Sequence, residues 1–247
     1  MVPIFDSALS KLPTVKEVLW RGVPLDIGSN FTKDQIVTCH TNTTWIQNGF
    51  TIAGGNGRGG KLNQLRWPTT VYIDDDQTLY IADVSNHRIL EVKYDGAHIQ
   101  VVAGGNGAGN QLNQLRVSVN FFVDKEQSVY VADRENHRVV KWVKDAKQGI
   151  VVAGGHGSGS ALTQISKPYG IIVDQYETVH VTDSDNHRVV SWPRGAKEGS
   201  IVVGENGGGS YANQLSYSFG LSIDRQENLY VVDLFNNRVQ RYAVKRS

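Results

Sequence analysis

From about residue 45 onward, short apolar runs alternate with polar turns, and the apolar residues show no helical spacing. The first set of runs reads VYID (71–74), LYIAD (79–83), RILEV (88–92) and IQVVAGG (99–105). These runs are rich in β-branched and aromatic residues and are bounded by turn-forming residues, which is typical of strands. The pattern therefore predicts four consecutive antiparallel strands and an all-β fold.

The same set of runs occurs four times at a spacing of fifty residues, with the endings ADVSNHR (82–88), ADRENHR (132–138), TDSDNHR (182–188) and VDLFNNR (232–238). Self-similarity at this period is typical of repeat architectures. Four antiparallel strands within fifty residues describe one blade of a β-propeller. The positions that are identical in all four copies are, in the first copy, Gly54, Gly57, Gly59, Gln64, Asp74, Asp83, Asn86 and Arg88.

The ends of the repeat region predict how the blades are completed. Residues 1–44 do not fit the repeat, and we expect them to form a separate segment that is partly disordered or a short helix, whereas residues 45–247 form the propeller. The last copy ends after its third strand, while residues 50–53 (FTIA) read as an unattached fourth strand. Propellers often close by pairing an N-terminal strand with the last blade, so residues 50–53 are predicted to complete it.

The composition excludes some classes of protein but does not identify a partner. The chain has 25 basic and 24 acidic residues, so its overall charge gives no reason to expect nucleic acid or membrane as a partner. The single cysteine excludes an internal disulfide framework. With neither a signal peptide nor a membrane span in the sequence, we expect a soluble, by default cytoplasmic, protein. The glycosylation sequons at Asn30 and Asn42 matter only if the chain is secreted.

Two motifs identify a known family. PYGIIVD (168–174) and VYVADRENHRVV (129–140), together with their copies, resemble the NHL repeat, and the resemblance runs over about residues 45–242. The array is particularly similar to uncharacterised invertebrate NHL-repeat proteins. The resemblance implies a propeller of six blades, whereas this chain supplies four. Two arrangements therefore stay open, a closed four-bladed ring and a partial six-bladed arc.

The repeated DxxNHR segment is predicted to be structural. Its Asp and Asn suit a tight turn, because their short side chains accept bonds from nearby backbone N–H groups. The histidines at positions 87, 137 and 187 recur around the blades, whereas zinc ligands must converge to about 2 Å from one point. We therefore predict neither a metal nor a cofactor. The residues assigned to the structural set are Asp83, Asn86, Arg88, Asp133, Asn136, Arg138, Asp183, Asn186, Arg188, Asp233, Asn236 and Arg238.

Catalytic residues should break the repeat, because a reaction needs one asymmetric group of side chains. The polar residues that break it are His40, His98, His156, Lys167 and His180. No Ser, Cys or carboxylate stands beside them at a spacing that suggests a mechanism. The sequence therefore predicts no catalytic residue.

The favoured function is non-enzymatic. We expect a binding or scaffold propeller that mediates protein interactions through loops on one face, with a protein or peptide as partner. The turn between the second and third strands carries the variable residues and lies on the same face as the glycine-rich loops. The candidate partner-binding residues in these turns are Arg134, Glu135, Asp185, Leu234 and Phe235.

Two other functions are kept as alternatives. The chain is similar in fold to peptidyl-hydroxyglycine amidating lyases, which are propellers that bind zinc and calcium, but it offers no unique histidine cluster for their ligands. NHL domains of tripartite-motif proteins bind RNA through a basic face. The near-neutral charge and the acidic Glu135 and Asp185 count against that role, so RNA is possible but not favoured.

Overall fold

The computed structural model describes residues 47–94, 96 and 98–245. These residues form fifteen strands in four antiparallel sheets, of which three have four strands and one has three. The strands are β1 Pro68–Ile73, β2 Leu79–Asp83, β3 Arg88–Val92, β4 Ile99–Gly104, β5 Ser118–Val123, β6 Val129–Asp133, β7 Arg138–Trp142, β8 Ile150–Gly154, β9 Pro168–Val173, β10 Val179–Asp183, β11 Arg188–Trp192, β12 Ser200–Val203, β13 Ser218–Ile223, β14 Leu229–Asp233 and β15 Arg238–Tyr242.

Each sheet is one copy of the repeat, and its strands pair in the order of the sequence. We call the sheets blade 1 (β1–β4), blade 2 (β5–β8), blade 3 (β9–β12) and blade 4 (β13–β15). The first strands of successive blades are neighbours, with β1 beside β5, β5 beside β9, and β9 beside β13. The predicted all-β fold built of antiparallel blades is confirmed. None of the helices in the described ranges has the length and apolar character that crossing a membrane requires.

One apolar residue of the glycine-rich loop fills the space between neighbouring blades. Leu115 is fully buried and packs with Ile89 of blade 1 and Phe121 of blade 2. Ile165 and Leu215 are fully buried in the equivalent clusters between blades 2 and 3 and between blades 3 and 4. Each such burial stabilises the fold by about 1.5–3 kcal/mol relative to exposure.

The closing strand predicted at residues 50–53 is not formed. These residues have no strand conformation, Phe50 is 88% exposed, and the described part of blade 4 contains only β13, β14 and β15. Ala53 instead packs against Leu90 and Val92 of blade 1. The prediction was wrong because the segment packs against blade 1, which comes next in the chain, and not against blade 4. The separate segment expected at residues 1–44 lies outside the described residues.

The two terminal blades are exposed on the sides where a further blade would pack. Val71 and Ile73 of β1 are 61% and 59% exposed, whereas the equivalent Phe121 and Val123 of β5 are 4% and 5% exposed. The same strand positions are therefore covered inside the array and open at its start. Of the two arrangements left open by the sequence, the structure is an open arc of four blades.

Candidate functional site

The aspartate that recurs in every repeat organises the turn after the second strand. In blade 2 the carboxylate of Asp133 accepts hydrogen bonds from the backbone N–H of Arg116 (2.7 Å), the side chain of Asn136 (2.8 Å) and Nε of Arg138 (2.8 Å). Both side chains of the Asp133–Arg138 ion pair are almost fully buried. The aspartate is thus the common acceptor that holds the turn and the incoming loop together.

The arginine and asparagine that recur in every repeat hold the glycine-rich loop in place. Arg138 donates to the backbone carbonyls of Asn110, Gln111 and Gln114, and Asn136 donates to that of Gly109. The same bonds recur in the other three repeats. All twelve residues assigned to the structural set therefore lie in a hydrogen-bond network that is internal to the protein.

The pKa of the repeated aspartate is shifted in different directions in different blades. Burial raises the pKa of Asp133 and of Asp183, even though arginine and asparagine donate to both. Burial also acts on Asp233, but there the bonds from Asn236, the N–H of Ser216 and Arg238 outweigh it, and the pKa is lowered. The difference follows from the solvent access of blade 4, where the side chain of Arg238 is 30% exposed.

The repeated histidines bond to the next blade. Nδ1 of His87, His137 and His187 accepts the backbone N–H of Val117, Lys167 and Tyr217, at 3.4, 3.2 and 3.0 Å. Each histidine has a left-handed backbone conformation, with φ of 54°, 55° and 57°. Among the described residues there is no group of three or more His, Cys, Asp or Glu side chains that could hold a metal.

An aromatic cluster lies where the first strands of blades 3 and 4 meet. We define it as Tyr169, Tyr217, Phe219 and Phe235. The rings of Tyr169 and Phe219 stack with centroids 3.7 Å apart. The ring of Tyr217 lies 5.8 Å from Phe219 on one side and stacks on Phe235 on the other, at 4.9 Å and an interplanar angle of 12°. The four rings therefore form one continuous row.

Charged groups from blade 2 border this row. One guanidinium nitrogen of Arg134 donates to the hydroxyl of Tyr217 at 2.9 Å, and the other pairs with Glu135 at 2.6 Å. Burial raises the pKa of the Tyr169 hydroxyl, and the nearby Arg134 counteracts part of that rise. The Tyr169 hydroxyl is therefore neutral at physiological pH, and the cluster combines apolar rings with one cation and one anion.

The candidate binding residues divide into separate groups. Arg134, Glu135 and Phe235 come together at the aromatic cluster. Asp185 lies in the turn of blade 3, where it accepts the Nζ of Lys167 at 3.4 Å and the hydroxyl of Ser166 at 3.1 Å. The structure thus brings three of the five candidates to one place.

Leu234 lies apart from the cluster, at a position that faces the following blade in earlier repeats. Its counterpart Val84 packs against the core shared by blades 1 and 2. Ser184, its counterpart in blade 3, is buried and donates to the carbonyl of Ser218 in blade 4. Leu234 is 38% exposed, and its position belongs to the end of the arc.

Sequence reasoning missed Tyr169, Tyr217 and Phe219. A signal for them existed, because the equivalent positions vary strongly between copies. The residue before the first strand is Trp67, Val117, Lys167 or Tyr217, always with a positive φ. Variable side chains on an invariant backbone are a pattern expected of a recognition surface.

The family model for the NHL repeat matches residues 65–91, which run from the loop into β3 of blade 1. The other three copies carry the same Asp, Asn and Arg at the same spacing. The matched segment is similar to the NHL repeat, and the other three copies share its pattern. No curated protein sequence matches the chain significantly.

Solved structures share the fold of this chain. An auxiliary nutrient binding protein from Bacteroides thetaiotaomicron is 13% identical, with a TM-score of 0.57 over 73% of this chain and 49% of that one. A gluconolactonase from Xanthomonas campestris is 17% identical, with a TM-score of 0.56 over 74% and 60%. A nidogen/laminin complex is 20% identical, with a TM-score of 0.53 over 71% and 59%. The matched region spans about half to three fifths of those chains, and at these identities the likeness shows the fold alone.

Proposed function

We propose that the protein is a non-enzymatic binding propeller that recognises a protein or peptide through the aromatic cluster and the adjoining Arg134 and Glu135. The observation that carries the proposal is the ring of Phe235, which stacks on Tyr217 and yet remains 64% exposed. A flat, exposed aromatic ring offers a large contact area that is already held in position.

The surroundings of Phe235 support a recognition surface. Tyr217, on which it stacks, is fixed by the hydroxyl bond from Arg134 and by the backbone bond to His187. Little side-chain entropy would therefore be lost when a partner binds. Aromatic residues and arginine are also the residue types that contribute most to the binding energy of protein interfaces.

The test uses peptides that are selected from a random displayed library for binding to the immobilised protein. Phe235→Ser should weaken their binding by about thirtyfold, since truncating an interface hot spot costs about 2 kcal/mol. The melting temperature should stay unchanged, because the ring is mostly exposed. Tyr176→Ser is the matched control, for it removes a 74% exposed aromatic ring in the β9–β10 turn, at the opposite end of the strands.

The proposal fails if the selected peptides bind Phe235→Ser as tightly as the unaltered protein. It fails equally if Tyr176→Ser weakens them to the same extent, because binding would then not be centred on the aromatic cluster.

A further inference from the structure

Both ends of the arc present apolar sheet faces. The head face, on blade 1, consists of Leu65, Val71, Ile73 and Leu79. The tail face, on blade 4, consists of Tyr230, Val232 and Val239. Val71 and Ile73 are 61% and 59% exposed, and Val232 and Val239 are 36% and 64% exposed.

Each position of the head face is buried at the first two internal blade boundaries, and at the third boundary Leu221 and Ile223 are half-buried. Leu115, Phe121 and Val123 of blade 2 correspond to Leu65, Val71 and Ile73, and they are at most 5% exposed because blade 1 covers them. In blade 3 the corresponding residues are at most 7% exposed. The head face is thus a surface that receives a blade at every boundary inside the chain.

The tail-face position of Val239 is likewise buried at the internal blade boundaries. Ile89, Val139 and Val189 correspond to Val239, and all three are fully buried against the following blade. The chain therefore contains three finished examples of a tail position packed on a head position. Within the described residues, the head face and the tail face are the two halves of this contact that no blade covers.

A polar pair is also preserved at the two ends. At the first internal boundary, the side chain of Gln127 in blade 2 donates to the carboxylate of Asp74 in blade 1 at 3.3 Å. The corresponding residues at the ends are Gln77 beside the head face and Asp224 beside the tail face. Joining the ends would allow this bond to form again.

The outer edge of blade 4 also matches residues 50–53. In blade 1, β4 is the outer partner of β3, with Ile89 opposite Ala103. The corresponding residues are Val239 of β15 and Ala53, and within the described ranges β15 pairs only with β14. Residues 50–53 lie beside the head face, where Ala53 packs against blade 1. They are therefore placed to reach the β15 edge of a copy docked there.

We propose that copies of this chain associate head to tail, so that the tail face of one covers the head face of the next and residues 50–53 add to β15 of that neighbour. This interface goes beyond the proposed peptide site and uses none of the aromatic cluster. Because two different faces meet, the contact is heterologous and produces either a closed ring of copies or a growing chain. An exposed strand edge is a ready template for such an addition.

The test uses one variant for each face. Ile73→Lys blocks the head face and Val239→Lys blocks the tail face, and both side chains are exposed enough for the substitution to leave the fold intact. Val143→Lys, at a 49% exposed valine just beyond β7, is the matched control because it lies on neither face. Sedimentation velocity over a range of concentrations measures the mass of each protein.

We expect the unaltered protein and Val143→Lys to associate as concentration rises. Ile73→Lys alone and Val239→Lys alone should stay at the monomer mass of 27.2 kDa. Their equimolar mixture has one intact head and one intact tail, so it should form a complex of two chains and nothing larger.

Three results would overturn the proposal: an unaltered protein that is monomeric at every concentration, blocked variants that associate like the control, or a mixture that forms no complex. The first would mean that something other than a second copy covers the faces. Circular dichroism of each variant confirms that a monomeric result does not come from unfolding.

Discussion

Nδ1 of His187 accepts the backbone N–H of Tyr217 across the boundary between blades 3 and 4, at 3.0 Å. The bond links a turn that recurs along the chain to a position whose residue differs in every copy. His187 belongs to the invariant turn, whereas Tyr217 is the centre of the aromatic cluster and differs from its counterparts in every other copy. The repeated histidines therefore position the backbone, and the variable residues that follow them form part of the proposed recognition surface.

Removing this bond should weaken both stability and binding. His187→Gly keeps the left-handed backbone at no steric cost but leaves the N–H of Tyr217 without its acceptor, which costs about 1–3 kcal/mol of unfolding free energy. His187→Asn should lose much less, because its carbonyl can replace Nδ1 and Asn237 already adopts this conformation in the fourth copy. Urea unfolding of the two variants measures the difference, and equal losses would contradict the role given to Nδ1.

The stability of the boundary between blades 1 and 2 should depend on pH through His87. Burial lowers the pKa of His87 in the folded protein, with partial compensation by Asp133. The unfolded chain therefore takes up the proton at higher pH. The contribution of His87 is fully present above the unfolded pKa of about 6.5 and is lost as the pH falls toward the folded value.

The measurement compares the unaltered protein with His87→Asn between pH 8 and pH 5. The advantage of the unaltered protein in unfolding free energy should shrink as the pH falls through this range. His180, whose pKa is also lowered by burial, is present in both proteins and cancels from the difference. Two curves that stay parallel would show that His87 does not titrate as the structure indicates.

The buried ion pairs should differ in importance along the arc. Arg138→Met leaves the carboxylate of Asp133 buried without its charged partner, which should lower the unfolding free energy by about 3–5 kcal/mol. Arg238→Met removes the same contacts in blade 4, where the arginine side chain is 30% exposed and water can replace it. Its loss should be clearly smaller in the same denaturation experiment, and an equal loss would contradict the argument from burial.

The first strands of blades 3 and 4 approach each other so closely at Gly170 that a larger residue should not fit there. A Cβ at this position would collide with the carbonyl oxygen of Phe219 and lie 2.9 Å from the backbone nitrogen of Leu221. Since backbone atoms cannot rotate away, Gly170→Ala should cost about 1–3 kcal/mol of stability. Gly220→Ala is the control, because its Cβ would meet only the side chain of Val232 at 3.1 Å. Thermal unfolding should show a drop for the first variant and little change for the second.

Residues that recur in every copy could be assigned from the sequence, whereas residues that occur once could be found only where they visibly break the repeat. Asp133, Asn136 and Arg138 are easy to recognise as structural, because a metal or catalytic site would not be repeated at every blade. Phe235 was found as an apolar exception in a polar turn. Tyr169 was missed, since a tyrosine inside a strand gives no sign that it stacks on Phe219 in the next blade.

The sequence by itself determined the strands, the fifty-residue unit and the four blades, because alternating apolar runs and turn residues act over a few neighbouring positions. Only the tertiary structure decided that residues 50–53 stay beside blade 1 and that the arc remains open, since both depend on how whole blades pack. It also decided the position of the aromatic cluster, where Arg134 donates to Tyr217 from 83 residues away. Such contacts depend on the position of each blade around the arc, which no local pattern specifies.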